Sequence, residues 1–287
     1  MNSTLYENIQ QFYDESSTLW ESIWGEHMHH GYYPSPDERS RDRRQAQIDL
    51  IEELLTQTSL HLSQDLNTLT HSILDVGCGI GGSSLYLAEK FDATVTGITL
   101  SPVQAQRANE RAEAAGLDCN FQVANALEMP FENNSFDLVW SLESGEHMPN
   151  KKQFLQECYR VLKPGGTFIF ATWCHRNVAP PEPPLTESER RHLANIYRVY
   201  YLPYVIALNE YEQIAEAIGF CQIHTEDWSA NVAPFWDRVI ESALEPQILL
   251  ELLFSGWKTI QGALALGLMR DGYKRGLVRY GVLYGSK

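Results

Sequence analysis

Leu74-Asp75-Val76-Gly77-Cys78-Gly79-Ile80-Gly81-Gly82 is the stretch of sequence that decides the fold. The apolar residues 73–76 predict a short buried strand, and a helical pattern follows the glycines as far as Phe91. Glycine suits the turn between them because a ligand has to approach the backbone closely and because the chain needs unusual dihedral angles there. We therefore expect a strand, a ligand-binding turn and a helix in direct succession.

Short apolar runs alternate with helical stretches after this unit. A helix is predicted between the second and third strands. It has Ser101 as its N-cap, Pro102 at its first position and Gly116 at its end. Further strands are predicted at residues 93–98, 121–124, 136–141 and 168–173. Strands separated by helices of this length predict an α/β fold with a parallel, doubly wound sheet.

Helical segments flank this alternating region on both sides. The predicted organisation is an N-terminal helical cap at residues 1–60, a core at 61–179 and a helical substrate cap or lid with the last sheet strands at 180–287. The predicted elements outside the core are helices at 5–24 and 39–55, a polar linker at 56–72, a proline-rich connection at 180–184, a helical insert at 186–219, a strand at 222–227, a helical stretch to about 269 and a last strand at 277–284.

Composition excludes several classes of protein. The chain has 22 Lys and Arg against 37 Asp and Glu, and its net charge of −15 disfavours binding to nucleic acid. Its five cysteines show no paired or metal-like spacing, which predicts reduced thiols. The N-terminus resembles neither a signal nor a transit peptide, so we expect a protein that is intracellular or already mature.

The leucine-rich stretch 248–269 is long enough to raise the question of a membrane span. At helical pitch, Glu251, Lys258 and Gly262 share one face with other polar residues, which predicts an amphipathic helix instead. Two interpretations stay open: a lid helix packed on its own domain, or a helix at a membrane surface. Basic residues that would favour the membrane contact follow it: Arg270, Lys274, Arg275 and Arg279.

The glycine spacing alone would also fit a dinucleotide-binding turn. A nicotinamide enzyme, however, needs an acidic residue about 20 positions later to hold the ribose, and this chain has Thr99-Leu100-Ser101 and Gln104 there. Asp75, two residues before the first glycine, has no special role in a dinucleotide site. Its carboxylate could instead face the cationic amino-acid end of S-adenosylmethionine.

Three strings together resemble the class I S-adenosylmethionine-dependent methyltransferases: residues 74–82, 125–131 and 162–166. The run 99–104 is similar to the branch that contains sterol, cyclopropane and plant alkaloid methyltransferases. The resemblance implies a seven-stranded, Rossmann-like sheet with helical caps and S-adenosyl-L-methionine as cofactor, converted to S-adenosyl-L-homocysteine. The implied cofactor-binding residues are Asp75, Gly77, Cys78, Gly79, Thr99, Leu100, Gln104, Asn125, Ala126, Leu142 and Tyr32.

Longer strings, at residues 13–17, 24–33, 140–149, 171–176 and 233–238, resemble the gamma-tocopherol C-methyltransferase family, particularly its cyanobacterial form. That resemblance implies methylation of a chromanol ring carbon, from gamma- to alpha-tocopherol and from delta- to beta-tocopherol. It also implies a lipophilic phenolic substrate and a place in the cytoplasm or at a thylakoid or plastid membrane. Because the family includes indole-alkaloid N-methyltransferases, methylation of an amine is the first alternative. A non-catalytic cofactor-binding protein is the second.

Three residues just after the fourth strand are the catalytic candidates. In related alkaloid methyltransferases, residues that match Glu143, Glu146 and His147 orient the acceptor and remove its proton. A ring carbon beside a phenol becomes a good nucleophile only when the hydroxyl loses its proton, so a positioned base helps. The choice of base stays open, and so does the alternative that His147 only packs while Glu143 contacts the cofactor.

Histidines and aromatic residues outside the core leave further alternatives. His27, His29 and His30 lack accompanying ligands at metal-binding spacing, so we expect no metal site. Seven aromatic residues either pack within the lid or line an apolar pocket for a lipophilic ring and tail: Trp20, Trp24, Tyr200, Tyr201, Tyr204, Phe235 and Trp236. The sequence does not indicate the oligomeric state.

Overall fold

The described part of the chain forms a seven-stranded sheet in a computed structural model, which describes residues 14, 25–35, 42–69, 71–243 and 257–287. The strands are β1 (Ser72–Val76), β2 (Thr94–Thr99), β3 (Cys119–Val123), β4 (Phe136–Leu142), β5 (Leu162–His175), β6 (Cys221–Asp227) and β7 (Val278–Ser286). Their order across the sheet is β3-β2-β1-β4-β5-β7-β6. The first five strands run parallel, whereas β7 pairs antiparallel with both β5 and β6. The predicted seven-stranded, doubly wound α/β fold is confirmed.

Helices cover both faces of this sheet. They are α1 (Arg43–Leu62), α2 (Leu66–Leu69), α3 (Gly82–Phe91), α4 (Pro102–Ala115), α5 (Lys151–Val161), α6 (Glu187–Tyr200), α7 (Leu208–Ile218), α8 (Ser229–Val232), α9 (Pro234–Ala243) and α10 (Trp257–Lys274). In β1, Ile73 belongs to the buried cluster on the α1 side and Leu74 to the cluster on the α5 side. Successive residues of a strand point to opposite faces, so a strand with helices on both sides is apolar throughout.

The helix α4 begins and ends where its capping residues predict. The Ser101 hydroxyl accepts a hydrogen bond from the backbone N–H of Gln104, and Pro102 occupies the first turn. Gly116 ends the helix in the left-handed conformation, which glycine adopts without strain. These contacts fix where α4 begins and ends. The helix follows β2, the strand against which the glycine-rich turn packs.

The linker predicted at residues 56–72 is wrong. Helix α1 continues to Leu62, and α2 occupies part of the remaining segment. Leu55, Thr58 and Leu62 are buried on the same face as the earlier apolar residues, so packing extends a helix whose local sequence is polar. The predicted boundary between residues 60 and 61 falls inside α1, and the division into three domains stays a prediction.

Other predicted elements differ at their ends. Strand β5 is longer than predicted at both ends, because Leu162 pairs with Phe136 of β4 and the carboxyl half pairs with β7 as far as His175. The helical insert consists of α6 and α7, which are separated by residues 201–207. The helix predicted at residues 5–24 lies outside the described residues apart from Asp14, and so does much of the stretch 248–269. Within the described residues, none of the helices combines the length and apolar character that a membrane span requires.

Candidate active site

A cleft opens at the carboxyl ends of the central parallel strands, where open α/β sheets bind ligands. Its volume, open mouth included, is about 1010 Å³. All but one of the predicted cofactor residues line it: Asp75, Gly77, Cys78, Gly79, Thr99, Leu100, Gln104, Asn125, Ala126 and Leu142. Four separate segments of sequence therefore meet in a single cleft.

The glycine-rich turn after β1 is held against β2. The backbone N–H groups of Gly77 and Cys78 both donate to the carbonyl oxygen of Ile98, at 2.9 and 3.0 Å. Gly77 has a φ of +90°, and a side chain there would overlap the side chain of Ser144. Glycine is thus required by the backbone conformation and by the close approach of the turn after β4.

Asp75 presents a buried carboxyl group to the cleft. It is 2% exposed and accepts a hydrogen bond from the Ser84 hydroxyl at 2.6 Å. Burial raises the pKa of Asp75 to about 7, although the hydrogen bond from Ser84 opposes the shift. A cationic ligand group beside this carboxyl group would favour its ionised form, which is the chemistry expected at the amino-acid end of S-adenosylmethionine.

Gln104 is held in place from the end of β2. The Thr99 hydroxyl donates to its Oε1 at 2.7 Å, and both side chains are buried while lining the cleft. The Asn125 Oδ1 atom accepts from the backbone N–H of Leu127 at 3.0 Å, which fixes the turn after β3. Polar groups thus border the part of the cleft where the resemblance implies the ribose and adenine.

Glu143 joins three parts of the molecule through its carboxylate. One oxygen accepts from the backbone N–H of His30 at 2.8 Å and from the Tyr280 hydroxyl at 2.9 Å. The other lies 2.8 Å from His30 Nδ1 and 3.3 Å from the Trp173 indole nitrogen, which donates to it. Burial alone would raise the pKa of Glu143, but the charge and hydrogen bonds of His30 outweigh burial and lower it. Glu143 is therefore a carboxylate with its acceptor positions largely used.

Glu146 lies behind the cleft and is not among the residues that line it. It is 1% exposed and accepts a hydrogen bond from the Thr172 hydroxyl at 2.7 Å. Burial, together with the nearby charge of Glu143, raises the pKa of Glu146 to about 8. Its carboxyl group is consequently protonated in most molecules at neutral pH, which leaves it a poor candidate for the base.

His147 lines the cleft at the end of a 3₁₀ turn, Gly145–His147. Burial lowers its pKa to about 3, and the charge of Lys151 adds to the effect, so the imidazole is neutral at neutral pH. Lys151 itself donates from Nζ to the carbonyl oxygens of Gly145 and Glu146, at 2.8 and 3.0 Å. The turn that carries His147 is thus tied down by a buried lysine.

Tyr32 is the predicted cofactor residue that does not line the cleft. Its ring packs edge-on against Trp228, with centroids 5.1 Å apart, and its backbone N–H donates to Ala46. The neighbouring residues Met28 and His29 line the cleft instead. The segment 24–33 thus does contribute to the cleft, as the resemblance implies. The residues of this segment that line it include Met28 and His29 but not Tyr32.

The aromatic residues of the lid mainly pack against one another. Phe235 and Trp236 are fully buried around His30, with ring centroids 5.1 and 5.0 Å from it. Tyr201 and Tyr204 are partly exposed, and Trp20 and Trp24 lie outside the described residues. None of the five described members of this set lines the cleft, which favours the packing interpretation for those buried around His30.

Sequence reasoning missed the partners that hold the candidate site together. His30, Trp173 and Tyr280 come from distant parts of the chain and converge on Glu143. Trp173 lies in the string 171–176 that contributes to the family resemblance. No spacing pattern, however, shows that its indole reaches a carboxylate 30 residues away. Lys151 was missed because a lysine at the start of a helix ordinarily lies in solvent.

Comparison with known proteins identifies the family. A probable tocopherol O-methyltransferase, chloroplastic, of Oryza sativa subsp. japonica is 52% identical over 97% of this chain and 77% of that protein. The tocopherol O-methyltransferase, chloroplastic, of Arabidopsis thaliana is 48% identical over 97% of this chain and 81% of its own length. This chain belongs to the tocopherol methyltransferase family.

More distant relatives of this family act on different acceptors by their names. The ajmaline N-methyltransferase of Rauvolfia serpentina is 32% identical over 96% of both chains. The 2-methyl-6-phytyl-1,4-hydroquinone methyltransferase of Synechocystis is 33% identical over 96% of this chain and 86% of that one. Residues 74–170 match a family model described as a methyltransferase domain.

The fold has a counterpart among solved structures. Geranyl diphosphate C-methyltransferase from Streptomyces coelicolor A3(2), solved with Mg²⁺, geranyl diphosphate and S-adenosyl-L-homocysteine, superposes with a TM-score of 0.75. It is 21% identical and the match covers 98% of this chain and 97% of that one. This likeness confirms the class I methyltransferase fold.

As a member of the tocopherol methyltransferase family, the protein is an enzyme and its cofactor is S-adenosyl-L-methionine. The cleft fits that cofactor: Asp75 offers a buried carboxyl group for its ammonium or sulfonium charge, and Thr99 holds Gln104 at the other side. The glycine-rich turn leaves backbone close to the ligand. These residues would hold the cofactor in the cleft that Glu143 and His147 also line.

Proposed function

We propose that this protein methylates the chromanol ring of gamma-tocopherol at carbon, giving alpha-tocopherol, and converts delta- to beta-tocopherol in the same way. The observation that carries the proposal is that His147 lines the cleft formed by the cofactor residues, in a chain whose relatives at 48–52% identity are named for tocopherol. A phenolic acceptor agrees with a base in the cleft, and the relatives' names support the lipophilic tail.

The chemistry requires a methyl donor in line with an activated carbon. S-adenosylmethionine, when bound, supplies a methyl group on a sulfonium. The protein contributes alignment of the two reactants and removal of a proton from the phenol. Neutral His147 accepts the phenolic proton, which places negative charge on the oxygen and makes the neighbouring ring carbon nucleophilic. After methyl transfer, that carbon releases its hydrogen to solvent as a proton, and the ring regains aromaticity as a phenolate. Protonated His147 then returns its proton to the oxygen, which restores the phenol and the neutral imidazole.

A histidine with a pKa of about 3 is a weak base toward a phenol, whose pKa is near 10. The phenolate that forms beside the imidazole changes this balance. A phenolate next to an imidazolium favours the ionised form of each group. We therefore expect the pKa of His147 to rise in the complex with substrate. Glu143, fixed by His30 and Tyr280, then serves to position the acceptor and the cleft wall.

The relatives' names leave the methylated atom open, because both plant proteins are called O-methyltransferases. Methylation at oxygen would consume the phenol, whereas methylation at carbon would preserve it and remove a ring hydrogen. We favour carbon because the base beside the cleft generates a phenolate, in which the ortho carbon shares the negative charge. An amine acceptor is the second candidate, since the ajmaline N-methyltransferase is 32% identical.

A long apolar tail on the substrate bears on where the enzyme works. The two plant relatives are chloroplastic by name, and we propose that this enzyme meets its substrate at a membrane surface. The basic residues expected to favour that contact are partly neutralised: Arg270, Lys274 and Arg279 each form an ion pair with an aspartate of the chain. Positive charge from these residues is therefore not sufficient for the proposed contact.

An acceptor panel tests the proposed function. Purified protein is incubated with S-adenosylmethionine and gamma-tocopherol, with the same chromanol carrying a truncated tail, or with an indole-alkaloid amine. We expect turnover of gamma-tocopherol and a KM at least about a hundredfold higher for the truncated analogue, since each buried CH₂ contributes about 0.8 kcal/mol. Methylation of the amine with tocopherol left unchanged would overturn the proposal, and cofactor binding without any turnover would favour a non-catalytic protein.

A further inference from the structure

Three side chains with metal-binding atoms meet at the edge of the sheet, and none of them lines the cleft. In the part of the chain that the structure describes, His61, His224 and Glu226 form a group whose potential ligand atoms all lie within 4.8 Å of one another. Two imidazole nitrogens and a carboxylate oxygen are a donor set that zinc-type ions bind.

The fold brings these residues together from two elements. His61 lies in the last turn of α1, and His224 and Glu226 lie two residues apart in the outermost strand, β6. Residues two apart in a strand point to the same face, so both side chains of β6 reach toward α1. The sequence separation of 165 residues between His61 and Glu226 explains why spacing alone predicts no metal site here.

The distances within the group suit a small cation. Glu226 Oε1 lies 2.7 Å from His61 Nε2 and 3.6 Å from His224 Nε2. The two imidazole rings are stacked, with centroids 3.6 Å apart and planes inclined by 24°. Ligand atoms about 2.0–2.1 Å from a tetrahedral zinc ion are roughly 3.3 Å apart. Because imidazole lone pairs lie in the ring plane, the two stacked rings have to rotate before both nitrogens face one ion.

Groups outside this set orient two of the three side chains. The Trp228 indole N–H donates to Glu226 Oε2 at 2.7 Å, which leaves Oε1 directed at the imidazoles. The ring of His61 lies over Tyr284, with centroids 5.9 Å apart and planes inclined by 24°. Outer hydrogen bonds and packing of this kind hold metal ligands in position.

The group is accessible without being fully solvated. The side chains of His61, His224 and Glu226 are 25%, 44% and 27% exposed. An ion can therefore enter from solvent and keep water as a further ligand, as in sites with three protein ligands.

We propose that His61, His224 and Glu226 bind a divalent transition-metal ion of the zinc type, which fastens the end of α1 to the edge strand β6. Earlier in α1, Gln47 donates to the carbonyl oxygens of His27 and His29, at 2.5 and 2.8 Å. His29 lines the cleft, and Gln47, which holds it, lies about 21 Å along α1 from His61 by the rise per residue. The ion acts as a structural clamp on the helix that supports one wall of the cleft.

Zinc titration of the untagged, chelator-treated protein tests this proposal. Isothermal titration calorimetry with ZnCl₂ should show saturable binding of one ion that depends on His224, and a hundredfold excess over Kd should raise Tm by about 5 °C. MgCl₂, an ion that prefers oxygen ligands, should leave Tm unchanged. The exposed-ligand variant His224→Gln should bind zinc at least about tenfold more weakly, and Trp228→Phe should weaken binding to a smaller extent.

The matched control is His71→Gln, which removes an exposed histidine outside the group and should bind zinc like the unaltered protein. His61→Gln provides a second ligand variant from the other element. Absence of saturable zinc binding in the unaltered protein would overturn the proposal. Equal zinc affinity in the unaltered protein, His224→Gln and His61→Gln would also overturn it, because the ion would then bind elsewhere.

Discussion

The Glu143 backbone adopts a left-handed conformation, with φ of +53°, at the point where β4 ends. A residue other than glycine accepts this conformation at a cost, so surrounding contacts have to hold it. Hydrogen bonds from His30, Trp173 and Tyr280 to the carboxylate supply that restraint. Glu143 consequently fixes the strand end from which the chain turns toward His147, and it is better suited to positioning than to proton transfer.

Replacing the proposed base, His147, is the most direct test at the scale of one residue. His147→Ala should lower kcat for gamma-tocopherol by about 10²–10⁴-fold, the usual contribution of a positioned general base. The Kd for S-adenosylmethionine should change little, because Asp75 and Gln104 remain. Single-turnover rates with saturating cofactor, beside Kd from calorimetry, measure the two effects separately.

His71→Ala serves as the matched variant, since His71 is exposed. It should retain both the turnover and the cofactor affinity of the unaltered enzyme. Normal single-turnover rates in His147→Ala would refute the assignment of His147 as the base.

Gln104 gives the opposite prediction. Gln104→Ala removes a buried amide and leaves the Thr99 hydroxyl without the acceptor it now has. We expect cofactor affinity to fall about tenfold, which corresponds to about 1.4 kcal/mol, while kcat at saturating cofactor stays near normal. Calorimetric titration with S-adenosylhomocysteine measures the affinity, and an unchanged Kd would remove Gln104 from the cofactor site.

At the scale of elements, the 3₁₀ turn Gly145–His147 depends on a helix that follows it. Lys151, in the first turn of α5, is 2% exposed and donates to two carbonyl oxygens of the turn. Burial lowers the pKa of Lys151 to about 7, while the nearby Glu146 opposes the shift. Burial disfavours the charged amine of Lys151, but its two hydrogen bonds hold the turn that carries His147.

Lys151→Met should therefore impair catalysis without affecting the cofactor. Loss of both hydrogen bonds frees the turn, so we expect kcat to fall about tenfold and the Kd for S-adenosylmethionine to stay within about twofold. Unfolding in urea should show a moderate loss of stability, about 1–3 kcal/mol for unsatisfied buried carbonyl groups.

The next residue provides the control, because Lys152 is exposed and carries the same charge. Lys152→Met should match the unaltered enzyme in both kcat and Kd. If Lys151→Met lost stability but kept its full single-turnover rate, the lysine would be purely structural.

The elements that sequence predicts best are those with local signals at their ends. Ser101, Pro102 and Gly116 define α4 through contacts within a few residues, and the structure confirms them. The helical residues 56–62 were missed because their signal is tertiary: Thr58 and Leu62 are buried by packing that a polar local sequence does not reveal. Local chemistry is readable from sequence, whereas packing against distant elements is not.

The candidate site divides in the same way. The glycine turn, Asp75 and Gln104 lie next to strand ends, so the parallel fold predicts that they meet. The contact between His30 and Glu143 spans 113 residues and joins a segment before the core to the end of β4. Such a contact follows from the path of the N-terminal segment, which no periodicity in the chain encodes.

At the scale of the whole molecule, buried neutral histidines make the free energy of unfolding depend on pH. Burial lowers the pKa of His27 to about 3, and the charges of His29 and Arg111 add to this effect. Between pH 3 and its ordinary pKa of 6.5, the unfolded chain binds a proton at His27 that the folded chain does not. Acidification through this interval therefore lowers the free energy of unfolding. This destabilisation by His27 is absent above about pH 6.5.

We expect His27→Gln to flatten this acid dependence. Removal of one such group should reduce the slope of unfolding free energy against pH by about 1.4 kcal/mol per unit between pH 4 and 6. Urea denaturation at several pH values measures the slope. His71→Gln should leave it unchanged, and an equal slope in His27→Gln would show that His27 does not remain neutral on folding.

We propose that the enzyme methylates a ring carbon of a tocopherol, and the fate of an isotopically labelled methyl group distinguishes carbon from oxygen as the acceptor. The enzyme is incubated with gamma-tocopherol and S-adenosylmethionine carrying an isotopically labelled methyl group, and the product is examined by NMR. We expect the label on the aromatic ring, with the phenolic hydroxyl retained and one ring hydrogen lost. A label on oxygen, or no label on tocopherol at all, would contradict it.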